Sequence, residues 1–253
     1  MMGAGAALGE GFAVGWYGKI PGTGDFIARR VPASFREPWD RWLQGAIEGS
    51  KHRLGTRWRD TFLSMPAWRF ALAPQVVGTN AWAGLMLPSV DAVGRYFPLT
   101  VACALPSASL DLVATLLRAG RWFDDIETIA LEAIAPRADT TAIDAALAKR
   151  RFEARWLAVP EANDATMPMR SAKPRMLCVE LGLNDAPAPG KLGELAKRLC
   201  EPYSAWLAEP SELFGRSLLL CESLPGADQF CAMMDGRWIE HGWGYGDLGG
   251  IAG

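Results

Sequence analysis

Ser34-Phe35-Arg36-Glu37-Pro38-Trp39-Asp40-Arg41-Trp42-Leu43-Gln44-Gly45-Ala46-Ile47 is the stretch from which the fold can be read outward. Its apolar residues, Phe35, Trp39, Trp42, Leu43, Ala46 and Ile47, recur at the helical period and form one stripe. Ser34 with Glu37 three residues on reads as a capping box. Pro38 is expected in the first turn, where its missing N–H costs little, and Gly55 suits the far end. A stripe this rich in tryptophan is a core face before it is a ligand or partner face.

On the N-terminal side, Phe12 to Gly18 reads as a strand that ends in a Gly/Pro-rich loop, Lys19 to Asp25. On the other side a short helical piece, Trp58 to Leu63, precedes three apolar strands, Trp68–Ala73, Ala81–Leu87 and Tyr96–Leu105. Connections this short favour antiparallel neighbours, so these strands form a meander with the tryptophan helix over one face. The pattern then turns helical. Leu110 to Leu117 is expected to be capped by Ser107 or Ser109 and stopped by Gly120. Trp122 to Ile134 is stopped by Pro136, and Thr140 to Lys149 makes a third helix. Pro160 to Pro174 reads as a polar loop and Arg175 to Leu181 as a strand. Leu192 to Trp206 reads as a helix, Ser217 to Cys221 as a short buried strand, and Ala227 to Met234 as a last helix before a glycine-rich tail. The expected fold is α/β: a single domain over 11–240, a mostly antiparallel sheet flanked by helices, with a sheet-rich N-terminal half and a helical C-terminal half. Residues 1–10 and 241–253 are expected as flexible ends.

Composition narrows the function. Lys plus Arg is 26 and Asp plus Glu is 28, a balance with no electrostatic footprint for nucleic acid or an anionic membrane. No apolar run approaches the roughly 20 residues that span a bilayer. Five cysteines without a C-x-x-C pair point to buried thiols in a reducing compartment, and a cytoplasmic location is expected. Two histidines leave little for a metal site, and no metal or cofactor is expected. Gly22-Thr23-Gly24-Asp25 lacks the Gly-Lys-Ser/Thr ending of a P-loop and would set a carboxylate where a phosphate should sit. There is no G-x-S-x-G elbow.

Three stretches carry a family resemblance. The first is Trp16-Tyr17-Gly18-Lys19-Ile20-Pro21-Gly22-Thr23-Gly24-Asp25-Phe26 with Ser34-Phe35 and Pro38 to Leu43. The second is Trp68 to Leu72, then Trp82-Ala83-Gly84 and Met86-Leu87-Pro88-Ser89-Val90-Asp91. The third is Val93-Gly94-Arg95-Tyr96-Phe97-Pro98-Leu99-Thr100. In order and spacing the chain resembles the TagF family, also called ImpM, of type VI secretion-associated proteins. The resemblance covers residues 12 to 106, and Ser223-Leu224-Pro225 and Phe230 to Gly236 match more loosely. It implies a cytoplasmic, non-enzymatic accessory protein with a longin-like α/β core. Such a protein would repress secretion after translation by binding a forkhead-associated scaffold protein, alongside a Thr kinase and phosphatase pathway.

The candidate site residues are Lys19, Gly24, Asp25, Asp91, Gly94 and Arg95. Asp25 and Arg95 are expected to bridge two loops of one sheet, as a clamp or as a partner contact. Lys19 reads as a surface residue, and Gly22 and Gly24 as positions that need unusual backbone angles. Asp124 and Asp125 read as helix-dipole partners, and Glu127 and Glu132 as solvated. Two other functions stay open: an assembly subunit of the secretion machine, and a hydrolase combining Asp25, Arg95 and a nucleophile such as Thr23 or Ser89.

Overall fold

A computed structural model describes residues 12–106, 110–157, 176–181 and 202–246. In chain order these include β1 (Phe12–Ala13), β2 (Gly15–Gly18), β3 (Ile27–Arg29), α1 (Ala33–Leu54), α2 (Trp58–Leu63), β4 (Trp68–Leu72), β5 (Ala81–Leu87) and β6 (Leu99–Leu105). There follow α3 (Leu112–Arg118), α4 (Gly120–Ala133), α5 (Thr140–Ala148), β7 (Arg151–Phe152), β8 (Met176–Glu180), β9 (Tyr203–Ala208), β10 (Ser217–Glu222), α6 (Ala227–Asp235) and β11 (Gly244–Gly246). β1 and β7 form a small ribbon. The other nine strands form one sheet in the order β3-β2-β6-β5-β4-β9-β10-β8-β11. Every pairing in it is antiparallel except that of β8 with β11.

Both faces of this sheet are covered, so its strands read as unbroken apolar runs rather than as polar–apolar alternation. The two-residue period then sorts side chains between two cores. In β5, Ala81, Ala83, Leu85 and Leu87 join the layer of α3, α4 and α5, whereas Trp82 and Met86 join the layer of α1, α2 and α6. The second core is unusually aromatic. Its buried indole N–H groups find partners: Trp39 donates to Thr100 Oγ1 at 3.0 Å, Trp68 to the Met233 carbonyl at 3.0 Å and Trp58 to Ser50 Oγ at 2.8 Å.

Helix α1 buries Phe35, Trp39, Leu43, Ala46 and Ile47, as its stripe requires. Trp42 is only partly buried and donates to the Pro225 carbonyl at 2.7 Å, fastening α1 to the turn before α6. The capping box does not form. The helix starts one residue earlier than Ser34, its N-cap is Pro32, and no side chain caps it. The Pro32 carbonyl accepts the N–H groups of Phe35 and Arg36 instead. Pro38 therefore lies in the second turn and leaves the Ser34 carbonyl without its helical donor. Gly78, at φ +72°, passes over that carbonyl; a Cβ there would lie 3.1 Å from the oxygen.

The C-terminal half adds four strands, β8 to β11, to the same sheet; β8 and β10 stand where strands were expected, whereas β9 and β11 depart from the expectation of a helical half. Tyr203 and Trp206, expected as the end of a helix, lie in β9, all six residues of which are buried. The helix expected over Leu192 to Leu199, the Pro160 to Pro174 loop and the Ser107 and Ser109 caps lie outside the described residues. Asp111 caps α3, accepting the Ala114 N–H, and Gly120 opens α4 rather than stopping α3. Residues 241–246 are not a loose end: His241 and Trp243 are buried and β11 completes the sheet. Cys103, Cys178, Cys221 and Cys231 are buried, and burial foremost pushes the Cys231 thiol up to about 11.

Candidate functional site

Two loops meet at one end of the sheet. One connects β2 to β3 and the other connects β5 to β6. Gly18, at φ +142°, ends β2 against the second loop, where any Cβ would collide with the Pro98 carbonyl. Asp91 is the hub. Its Oδ1 accepts the backbone N–H groups of Val93 at 3.0 Å and Arg95 at 2.9 Å. Its Oδ2 accepts Lys19 Nζ at 2.9 Å and Arg95 Nε at 2.7 Å. Gly94, at φ +84°, lets the chain turn within this wrap. Two further bonds tie the loops together: the Ala92 N–H to the Thr23 carbonyl at 3.0 Å, and Arg95 Nη2 to the Gly24 carbonyl.

The electrostatics follow from this packing. Burial alone would raise the Asp91 carboxyl. The Arg95 N–H, the Lys19 and Arg95 cations and the Val93 N–H outweigh it and hold the group well below the usual carboxylate range. Lys19 is buried, and its ammonium also lies 4.9 Å from the centroid of the Phe26 ring. Phe26 in turn stacks on Tyr17 and meets Phe97 edge-on. Tyr17 donates to Asp40 of α1 at 2.6 Å; burial first, then Asp40, pushes its hydroxyl up. What faces solvent is Asp25, part of Phe26, the outer side of Arg95 and Val93, which is 68% exposed.

Asp91, Lys19, Gly94, Arg95 and the Gly24 carbonyl are brought together. Asp25 is not. The acid that Arg95 binds is Asp91, four residues away, which can wrap its own turn as well; Asp25 accepts the N–H of its neighbour Phe26. Lys19 is a buried ion-pair member, not a surface residue. Gly22 and Gly24 lie outside the left-handed region, and a Cβ on Gly24 would meet nothing within 4 Å, so neither is required for its backbone angles. The hydrolase constellation is not assembled. Thr23 Oγ1 donates to the Asp25 carbonyl, Arg95 is held by Asp91, and Ser89 is buried.

The sequence reading missed a second ionic cluster. Arg69 lies on β4, facing the α3–α5 layer, with its guanidinium over the Phe123 ring. It pairs with Asp124 at 2.7 Å, Glu127 at 3.0 Å and Glu209 at 3.3 Å, and Glu209 also pairs with Arg216. Asp124 and Glu127 are thus ligands of a buried arginine rather than a dipole partner and a solvated residue. Asp125 lies 3.5 Å from Arg150. The available signal was an arginine inside an otherwise apolar strand, which needs acids from its neighbours. A third link, also unforeseen, joins Arg30 and the Trp16 N–H to Asp144 of α5.

A three-layer α/β/α molecule whose central sheet carries a clamped loop pair at one end is the class of protein these observations define. The model of the TagF N-terminal domain, type VI secretion system-associated, matches residues 15–150, and the chain belongs to that family. The match extends past the motif stretches through α5 and so takes in Asp124 and Asp144. The chain is also similar to PA0076 from Pseudomonas aeruginosa PAO1, known from its crystal structure. Identity is 34%, the TM-score is 0.72, and the likeness covers 89% of this chain and 95% of that one. No curated protein matches. The protein is therefore type VI secretion system-associated. Among the described residues no helix is long and apolar enough to cross a membrane.

Proposed function

We propose that this protein is a non-enzymatic cytoplasmic regulator that holds a type VI secretion system in check after translation. It does so by binding the system's forkhead-associated scaffold protein through the clamped loop pair. One observation carries the reading. The polar motif residues are used to lock two loops in register, with Val93, Phe26 and Asp25 presented on the outside. A loop pair fixed in this way loses little conformational freedom on binding, which favours recognition. Of the side chains that a hydrolase would need at the same place, Thr23, Asp25 and Arg95 are engaged in hydrogen bonds within the loop pair.

The test is made in the native host. Deleting the gene should raise secretion, and the scaffold should copurify with the tagged protein. Loss of secretion on deletion would instead make this an assembly subunit of the machine.

A further inference from the structure

A second surface lies where α1 passes into α2. Between Glu48 and Asp60 the chain carries Lys51, Arg53, Arg57 and Arg59 and no acid. All four are exposed. Arg53 is answered by Asp228 of α6 at 2.6 Å. The side chains of Lys51, Arg57 and Arg59 make neither an ion pair nor a hydrogen bond among the described residues. The turn that gathers them is fixed. Gly55, at φ +55°, ends α1 and redirects the chain. Trp58 is buried beyond it, and its indole N–H returns to Ser50 Oγ at 2.8 Å. Lys51 Nζ lies 4.6 Å from the centroid of the same ring, whose chain neighbours are Arg57 and Arg59.

The helix dipoles account for only part of this run. Lys51, His52 and Arg53 lie in the last turn of α1, where a cation is favourable. Arg57 is the N-cap of α2 and Arg59 its second residue, at the end of a helix where a cation is unfavourable. Gathering like charges adds repulsion. Lys51, Arg57 and Arg59 are therefore held out to solvent with no partner among the described residues, and two of them sit against the local dipole. The patch adjoins the loop pair: Tyr96, next to Arg95, meets Trp58 and Phe62 edge-on at 5.5 and 6.0 Å. Three cations on a chain of net charge -2 suit a small acidic surface. They are too few for nucleic acid, whose partners neutralise about six to ten phosphates.

We infer that Lys51, Arg57 and Arg59 form a docking surface for an acidic segment of a partner protein, a short run of Glu and Asp side chains. The inference stands on these charges and does not require that the loop pair bind the scaffold. The test titrates the full chain into two fluorescein-labelled peptides at low ionic strength, read by anisotropy. Their centres are Glu-Glu-Asp-Glu-Glu and Gln-Gln-Asn-Gln-Gln. The acidic peptide binds at least about tenfold more tightly, a difference that shrinks as salt is added. Arg57→Glu combined with Arg59→Glu weakens its binding at least about tenfold. The melting temperature of that variant is no lower than wild type, because acids now stand at the start of α2. Lys51→Gln weakens binding about threefold. Arg41→Glu combined with Arg121→Glu, the same change in charge at exposed positions elsewhere, leaves binding within about twofold. Equal weakening by the two double variants overturns the proposal, because net charge alone then governs binding. Equal binding of the two peptides overturns it, as does wild-type binding by Lys51→Gln and the folded Arg57/Arg59 variant. Tighter binding of an oligothymidylate of about 12 nucleotides, or of phosphatidylserine vesicles, than of the acidic peptide also overturns it, since the occupant is then not a protein.

Discussion

Two ionic clusters hold this protein together with opposite signs at the centre. At the loop pair one carboxylate, Asp91, with no exposed side-chain surface, serves two cations and two backbone N–H groups. On β4 one guanidinium, Arg69, 8% exposed, serves carboxylates that are 65%, 26% and 41% exposed. The difference lies in what remains when the centre is removed. Without Asp91, a buried ammonium and two N–H groups lose their partner. Without Arg69, three carboxylates turn to water. The centre of a cluster is therefore costly in proportion to how deeply its partners are buried, not to how many it has.

Predictions rank accordingly. Asp91→Ala should cost about 3 kcal/mol in denaturant unfolding, short of the most severe buried-pair losses because Arg95 reaches solvent. Arg69→Ala, despite removing three ion pairs, should cost about 2 kcal/mol. A larger loss for Arg69→Ala than for Asp91→Ala would break the comparison.

Acid separates the clusters further. The folded-state Asp91 carboxyl titrates below its unfolded value, so the stability it contributes is complete above about pH 4 and is lost as pH falls towards the folded value. The stability gap between the wild-type protein and Asp91→Asn should accordingly narrow as pH is lowered below that range. A gap that stays constant down the acid limb would show that the charge on Asp91 is not what the clamp uses. The smallest effect belongs to the rim of the other cluster: Asp124→Ala should cost under about 0.5 kcal/mol, because Glu127 and Glu209 remain.

The same contrast explains what the sequence made legible. The helical stripe from Phe35 to Ile47, the meander β4-β5-β6 and the helices over Trp122 to Lys149 follow from local period and punctuation, and they stand where those signals put them. Strand β9 did not. With both faces buried it carries no alternation, and its Tyr203 and Trp206 continue the spacing of Leu192 to Leu199. Pro202, which disfavours helix in the residue before it, was the signal to weigh. At the candidate site, the residue types and the two loops were legible, but the pairing was not. Asp25 and Asp91 are both acids in glycine-containing loops. Only the fold shows that Asp91 lies under Lys19 while Asp25 faces water. Lys19 looked like a surface lysine for the same reason: one residue after a strand, its burial depends on which loop crosses above it. The Arg69 cluster was not legible because its carboxylates lie 55, 58 and 140 residues away.

The central claim, that the clamped loop pair is the face presented to the scaffold, is tested most directly at Val93, which is exposed and takes no part in the clamp through its side chain. The Val93→Asp variant of this chain should melt within about 2 °C of wild type, and the forkhead-associated scaffold is then titrated into it. Binding should be at least about tenfold weaker. Wild-type affinity in that folded variant would contradict the account.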